Sequence, residues 1–198
     1  MTSGGLLHER GWIEGSSEWY TPPHVFDALA IAFDLDPAAP PGGVPWIPAR
    51  KHYALADNGL ARPWHGRVWL NPPYGRETSR WLRRLVEHGD GIALVFARSD
   101  TAWFHELAPT ATGLCFVAGR LRFVPGDGRP DASTAGAPSL LMAYGSACAN
   151  ALANSDLGLY MPGPDTEPSA EHQSAACSLA SPCVCAGHLT CCPAHTQV

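Results

Sequence analysis

A chain of 198 residues with 45% hydrophobic side chains and seven tryptophans can bury one substantial core. It holds no run of about 18 apolar residues, which excludes a membrane-spanning helix. The formal charge of −5 argues against a protein that coats nucleic acid wholesale. The opening MTSGGLLHERGW has no basic stretch leading into an apolar one, so no signal peptide is expected and the reading is cytoplasmic.

Charge is unevenly placed along this chain. Residues 1–61 carry three basic and seven acidic groups, residues 62–125 nine and five, and residues 126–198 one and six. All nine basic residues of the middle segment are Arg, whose planar fork suits phosphate contact. A solvated helix face is the plainer alternative.

In chain order, residues 1–17 read as a flexible lead-in. TPPHVFDALAIA predicts a helix with Thr21 as N-cap, Pro22 and Pro23 in its first turn, and Val25, Phe26 and Leu29 as its apolar face. FDLDPAA predicts a strand over 33–36, halted by Pro37. Residues 40–66, rich in Pro, Gly and aromatics, are expected to be irregular. VWL (68–70) is a β-prone run, and ETSRWLRRLVEH a helix with Trp81, Leu82, Leu85 and Val86 on one side and Arg80, Arg83, Arg84 and Glu87 on the other. GIALVFA (91–97) is almost wholly apolar, as a strand covered on both faces should be. SDTAWFHEL predicts a capped short helix, GLCFVAG, LRFV and SLLMAYG three more strands, and SACANALANSDLG a last helix. The alternation gives a three-layer α/β domain with a mostly parallel sheet. The domain is expected over 18–163, with a disordered Cys/Pro/Ser-rich tail over 164–198.

The apolar run at 68–70 passes directly into Asn71, Pro72, Pro73 and Tyr74. Ligands of open α/β sheets collect at the carboxyl ends of strands. An aromatic amine is a poor nucleophile because its lone pair is delocalised into the ring. Two fixed acceptors, the Asn71 side-chain oxygen and the Pro72 carbonyl, can bind both amino hydrogens and favour a tetrahedral nitrogen. Pro73 stiffens the loop, having a fixed φ and no N–H. Tyr74 can stack on a base face, as a base flipped from a duplex requires. Transfer of a methyl from a sulfonium then needs alignment more than acid–base chemistry, and no metal.

NPPY matches the catalytic motif of amino-group methyltransferases that use S-adenosylmethionine. The ordered set EWYTPPHVFDAL, FDLDPAA, GLARPWHGRVWLNPPYG, WFHE and GRLRFV, spanning roughly 18–160, resembles the phage-type DNA adenine-N6 methyltransferases (Dam-like). The resemblance implies a Rossmann-like methyltransferase fold and methyl transfer to adenine N6 in double-stranded DNA, as in phage or restriction-modification systems. It implies Asn71, Pro72, Pro73 and Tyr74 as the catalytic set, and Trp19, Thr21, Pro22, Asp36, Pro37 and Ala38 around the cofactor, with Asp36 facing its ammonium. Arg76, Arg80, Arg83 and Arg84 would meet phosphates at the pocket rim. Arg120, Arg122 or the loop over 125–138 would read sequence.

The chain departs from that pattern. It lacks a Gly-x-Gly cofactor loop, having only Gly42 and Gly43, and Asn58 stands where the family has an acidic residue, with Asp57 adjacent. A catalytically degenerate DNA-binding module and a cytosine-N4 methyltransferase are therefore the alternatives. The Cys and His residues of SPCVCAGHLTCCPAH have poor spacing for zinc, and a disulfide framework is not expected. Nothing in the sequence sets an oligomeric state.

Overall fold

The computed structural model describes residues 19–126 and 133–164, with backbone alone at 133 and 134. The chain runs β1 (Trp19–Tyr20), α1 (Pro23–Leu29), β2 (Phe33–Asp36), β3 (Ala49–His52), β4 (Val68–Leu70), α2 (Thr78–His88) and β5 (Gly91–Phe96). It continues through α3 (Ala102–Leu107), β6 (Gly113–Val117), β7 (Arg122–Pro125), β8 (Ser133–Thr134), β9 (Ser139–Tyr144), α4 (Ser146–Ala153) and β10 (Gly158–Pro162).

Seven strands form one sheet in the order β10-β6-β9-β5-β4-β2-β3. The pairs among β3, β2, β4 and β5 are parallel. β9 runs antiparallel to both β5 and β6, and β10 antiparallel to β6. Five strands therefore point one way and two are reversed, so the sheet is mixed. The segment LRFV does not join it: β7 pairs with β1 and β8 in a small separate sheet.

Period-two alternation divides the core between the two faces of the main sheet. Trp69, Ile92, Leu94, Leu141 and Ala143 lie in one cluster, with Val25, Phe26 and Leu29 of α1 and Cys148, Ala149 and Leu152 of α4. Val68, Leu70, Ala93, Val95, Leu140 and Met142 lie in the other, with Trp81, Leu82 and Leu85 of α2 and Leu107 of α3. Helices thus cover both faces, which accounts for the unbroken apolar run of β5. Each large side chain fully buried here contributes roughly 1.5–3 kcal/mol of transfer free energy. Among the described residues no helix is long and apolar enough to cross a membrane, and Cys115 and Cys148 are buried free thiols.

α2 follows from its sequence. Its apolar positions recur at helical spacing, and it stops where Gly89 takes a left-handed φ of 81° and donates its N–H to the Leu85 carbonyl. α1 begins one residue later than Thr21 requires as a cap: Pro22 is the N-cap, and no side chain caps the helix. Proline supplies the extended φ and ψ there, so Thr21 is left buried instead. α3 likewise has no side-chain cap, because the Thr101 hydroxyl donates back to the Arg98 carbonyl at 2.7 Å.

Two strands of the main sheet depart from the sequence reading. β3, within the segment expected to be irregular, is the exposed polar sheet edge, held by parallel pairing to β2. β10 follows the last helix and returns along β6. The lead-in 1–17 and the loop residues 127–132 lie outside the described residues, as does the tail apart from Pro164.

Candidate active site

Asn71 leaves β4 at the carboxyl end of the parallel strands, and its side chain is tethered. Its Nδ2 donates to the Trp19 carbonyl at 3.0 Å, which turns Oδ1 to the acceptor side, where the Tyr74 hydroxyl donates to it at 3.2 Å. Trp19 is brought there by the small sheet, in which it pairs with Pro125. The amide is thus fixed by a carbonyl 52 residues away in sequence.

The rest of the turn is locked from α2. The Thr78 hydroxyl donates to the Pro73 carbonyl at 2.9 Å and accepts the Gly75 N–H at 3.0 Å, and Thr78 is buried. Among the described residues no donor reaches the Pro72 carbonyl, so the two neighbouring carbonyls differ. The Tyr74 ring stacks on Phe96 at the end of β5, with centroids 4.2 Å apart and planes 12° from parallel. Tyr74 as a whole stays 38% exposed, while desolvation raises its phenol above the ordinary value and keeps it a donor.

Asp36 reaches the same region by a bulge in β2. The amides of Asp34 and Leu35 both donate to the Arg67 carbonyl, at 2.7 and 3.2 Å. Phe33 therefore packs in the α1/α4 cluster and Leu35 in the opposite one, although two residues apart should share a face. By alternation, Asp36 and Asn71 both fall on the α1/α4 face. Asp36 is buried, and among the described residues its carboxylate accepts only the Ala38 amide, at 3.1 Å; burial pushes its carboxyl up to about 7, and that amide bond opposes the rise. The Thr21 hydroxyl is buried too, with no hydrogen-bond partner among the described residues. The loop over 40–48 closes on it, the Trp46 indole donating to the Thr21 carbonyl at 2.8 Å. Pro22 and Pro37 are buried beside these residues in sequence, and Ala38 half-buried.

Gly59, in the GL of GLARPW, abuts the Asp36 loop. A Cβ added there would overlap the Pro37 carbonyl oxygen, so close approach demands glycine. Asp57 is spent locally, accepting the Ala54 amide at 2.9 Å, and Asn58 takes a left-handed φ of 53°.

Of Arg76, Arg80, Arg83 and Arg84, expected at the pocket rim, three carry ion pairs. Arg80 pairs with Glu77 and Arg84 with Glu87. Arg83 forks onto Glu106 of α3 through bonds of 2.9 and 2.7 Å, which hold the Glu106 carboxyl below its ordinary range. Arg84 also lies over the Trp64 ring, 5.8 Å from its centroid. Among the described residues Arg76 is the one of these four without an ion pair. Arg120 donates to the Ala135 carbonyl at 3.0 Å, and Arg122 is exposed on β7. Thr78, Phe96, Trp46 and Gly59 were absent from the sequence-derived set. Phe96 reads there as one more residue of an apolar strand, and Thr78 as an ordinary helix start.

A family model described as DNA N-6-adenine-methyltransferase (Dam) matches residues 13–150. No curated protein and no solved structure matches the chain.

Proposed function

The chain belongs to the DNA N-6-adenine-methyltransferase (Dam) family and is an enzyme of that class; from that premise we propose how its residues carry the reaction. The methyl donor is S-adenosylmethionine, and the acceptor is the N6 amino group of an adenine turned out of double-stranded DNA. The residues present suit that donor. Among the described residues Asp36 is a buried carboxylate with no cation, which an ammonium would complete, and the buried Thr21 hydroxyl, beside Trp19 and Pro22 in sequence, has no partner. Pro37 and Ala38 continue the same loop, and the Ala38 amide orients Asp36. Once bound, the cofactor supplies an electrophilic methyl.

The chain's own part is to present the amine. Asn71 Oδ1 accepts one amino hydrogen and the Pro72 carbonyl the other, which draws the nitrogen lone pair out of conjugation and aims it. Pro73 and Thr78 keep the turn from relaxing. Tyr74 stacks on the base and lends its hydroxyl to Oδ1, an oxygen with two acceptor positions. After transfer the surplus amino proton leaves to water, so no carboxylate base is needed. Arg76 stands nearest the turn for phosphate contact, while Arg80, Arg83 and Arg84 must exchange a glutamate for a phosphate, and Arg120 and Arg122 lie with the small sheet. The observation that carries this reading is the Asn71 tether to the Trp19 carbonyl, which presents an acceptor instead of a donor.

The test is transfer of a radiolabelled methyl from S-adenosylmethionine to mixed-sequence DNA, followed by digestion to nucleosides. Label is expected in N6-methyladenine. Label in N4-methylcytosine, in protein, or nowhere overturns the proposal. Asn71→Ala is expected to lose at least about 100-fold in transfer, as loss of a preorganised polar group does, with cofactor affinity within a few-fold of wild type.

A further inference from the structure

The stacked pair at the end of β5 assigns a role to a residue outside the turn. We propose that Phe96 is a base-positioning residue that acts through Tyr74; this rests on the amine-binding reading above. Its ring lies 4.2 Å from that of Tyr74 and 12° from parallel. A base sandwiched between two rings needs about twice that separation, given ordinary carbon contacts of roughly 3.5–4.0 Å. The target base therefore cannot enter between them and must stack on the face of Tyr74 turned away from Phe96.

Tyr74 has the means to offer that face. It remains 38% exposed although Phe96 covers one side, and its hydroxyl is pinned to Asn71 Oδ1. With a ring behind it and a hydrogen bond at its tip, Tyr74 has little rotamer freedom left to lose when the base arrives. Phe96 itself is set by the main sheet. It pairs with Ser139 of β9, and the next residue, Ala97, donates its amide to the Pro138 carbonyl at 2.8 Å. The order base, Tyr74, Phe96 is thus a stack founded on β5 and β9, with the reacting amine placed at Asn71 by its height on that stack.

The test compares Phe96→Leu, Phe96→Met and Phe96→Tyr in the full chain, alone and combined with Tyr74→Leu. Phe96→Leu and Phe96→Met are expected to lower kcat/KM for DNA by about 2- to 12-fold, the range of an aromatic pair. S-adenosylmethionine affinity should stay within twofold, and Phe96→Tyr should retain wild-type transfer. In the Tyr74→Leu background, Phe96→Leu should add no further loss. Equal losses in all three Phe96 variants, an additive loss in the double variant, or a parallel fall in cofactor affinity would each overturn the role. If a Leu variant does not fold, the Met and Tyr variants decide alone. Absence of N6-methyladenine with the wild-type chain would refute the underlying reading; an active wild type with an equally active Phe96→Leu refutes this inference only.

Discussion

Asp36 is placed against its own solvation. Burial raises its carboxyl from the ordinary 3.8 to about 7, so the native state holds the proton more tightly. Its contribution to stability is therefore full below the unfolded value and is lost as pH rises through the folded one. Asp36→Asn should raise Tm by a few degrees at about pH 8 and leave it unchanged at about pH 3, as thermal unfolding across that range will show. The cofactor consequence has the opposite sign. A protonated carboxyl cannot pair with an ammonium, so wild-type affinity for S-adenosylmethionine should weaken as pH falls below about 7, while the Asn variant binds weakly and without that dependence. A wild-type profile that is flat between about pH 6 and 8 would remove Asp36 from the cofactor site. The chain keeps a destabilising group where the proposed ligand carries the compensating charge.

At the scale of elements, the site depends on loops that touch. Gly59 lets the segment after β3 seat on the Pro37 carbonyl, and no unusual φ is involved, so sterics alone set the cost. Gly59→Ala should lower Tm by several degrees and weaken S-adenosylmethionine binding, since the Asp36 loop must move aside. Titration by calorimetry beside a melting curve checks both; unchanged affinity would mean the loops are independent. The elements easiest to read from sequence were those with a plain apolar pattern: α2 repeats at helical spacing, β5 is apolar almost throughout, and Asn71 stood out because a polar amide ends a buried run. β3 was illegible, because ARKH is an edge strand with charged side chains facing water. The β2 bulge leaves no mark in FDLD, yet it decides which face Asp36 occupies. The Arg83–Glu106 pair links residues 23 apart on two helices, which helix spacing cannot disclose. Phe96 is recognisable only once Tyr74 lies on it.

For the whole molecule, the charge pattern sets how DNA can be met. A net charge of −5 opposes approach in general, so attraction must be local to the arginine-bearing middle segment. Ion pairs quench most of α2 there, which leaves Arg76 beside the turn. Arg76→Gln should weaken DNA binding and reduce the salt slope by about one. Arg83→Gln should do less, because its partner already holds it. Filter binding at several salt concentrations distinguishes them, and a larger effect at Arg83 would move the phosphate track onto the α2–α3 surface.

The place of β9 in the sheet also bears on how the chain is made. In the main sheet β6 pairs with β9 and β10, both of which lie after it in sequence, and β5 stays bare on one side until β9 arrives. A ribosome that has released the chain as far as residue 130 has therefore produced a parallel half with an unpaired edge at β5 and a strand with no neighbour in the main sheet. Residues 139–144 come to lie between strands made earlier, so the surroundings of Phe96 are completed from the middle of the sheet and late in synthesis.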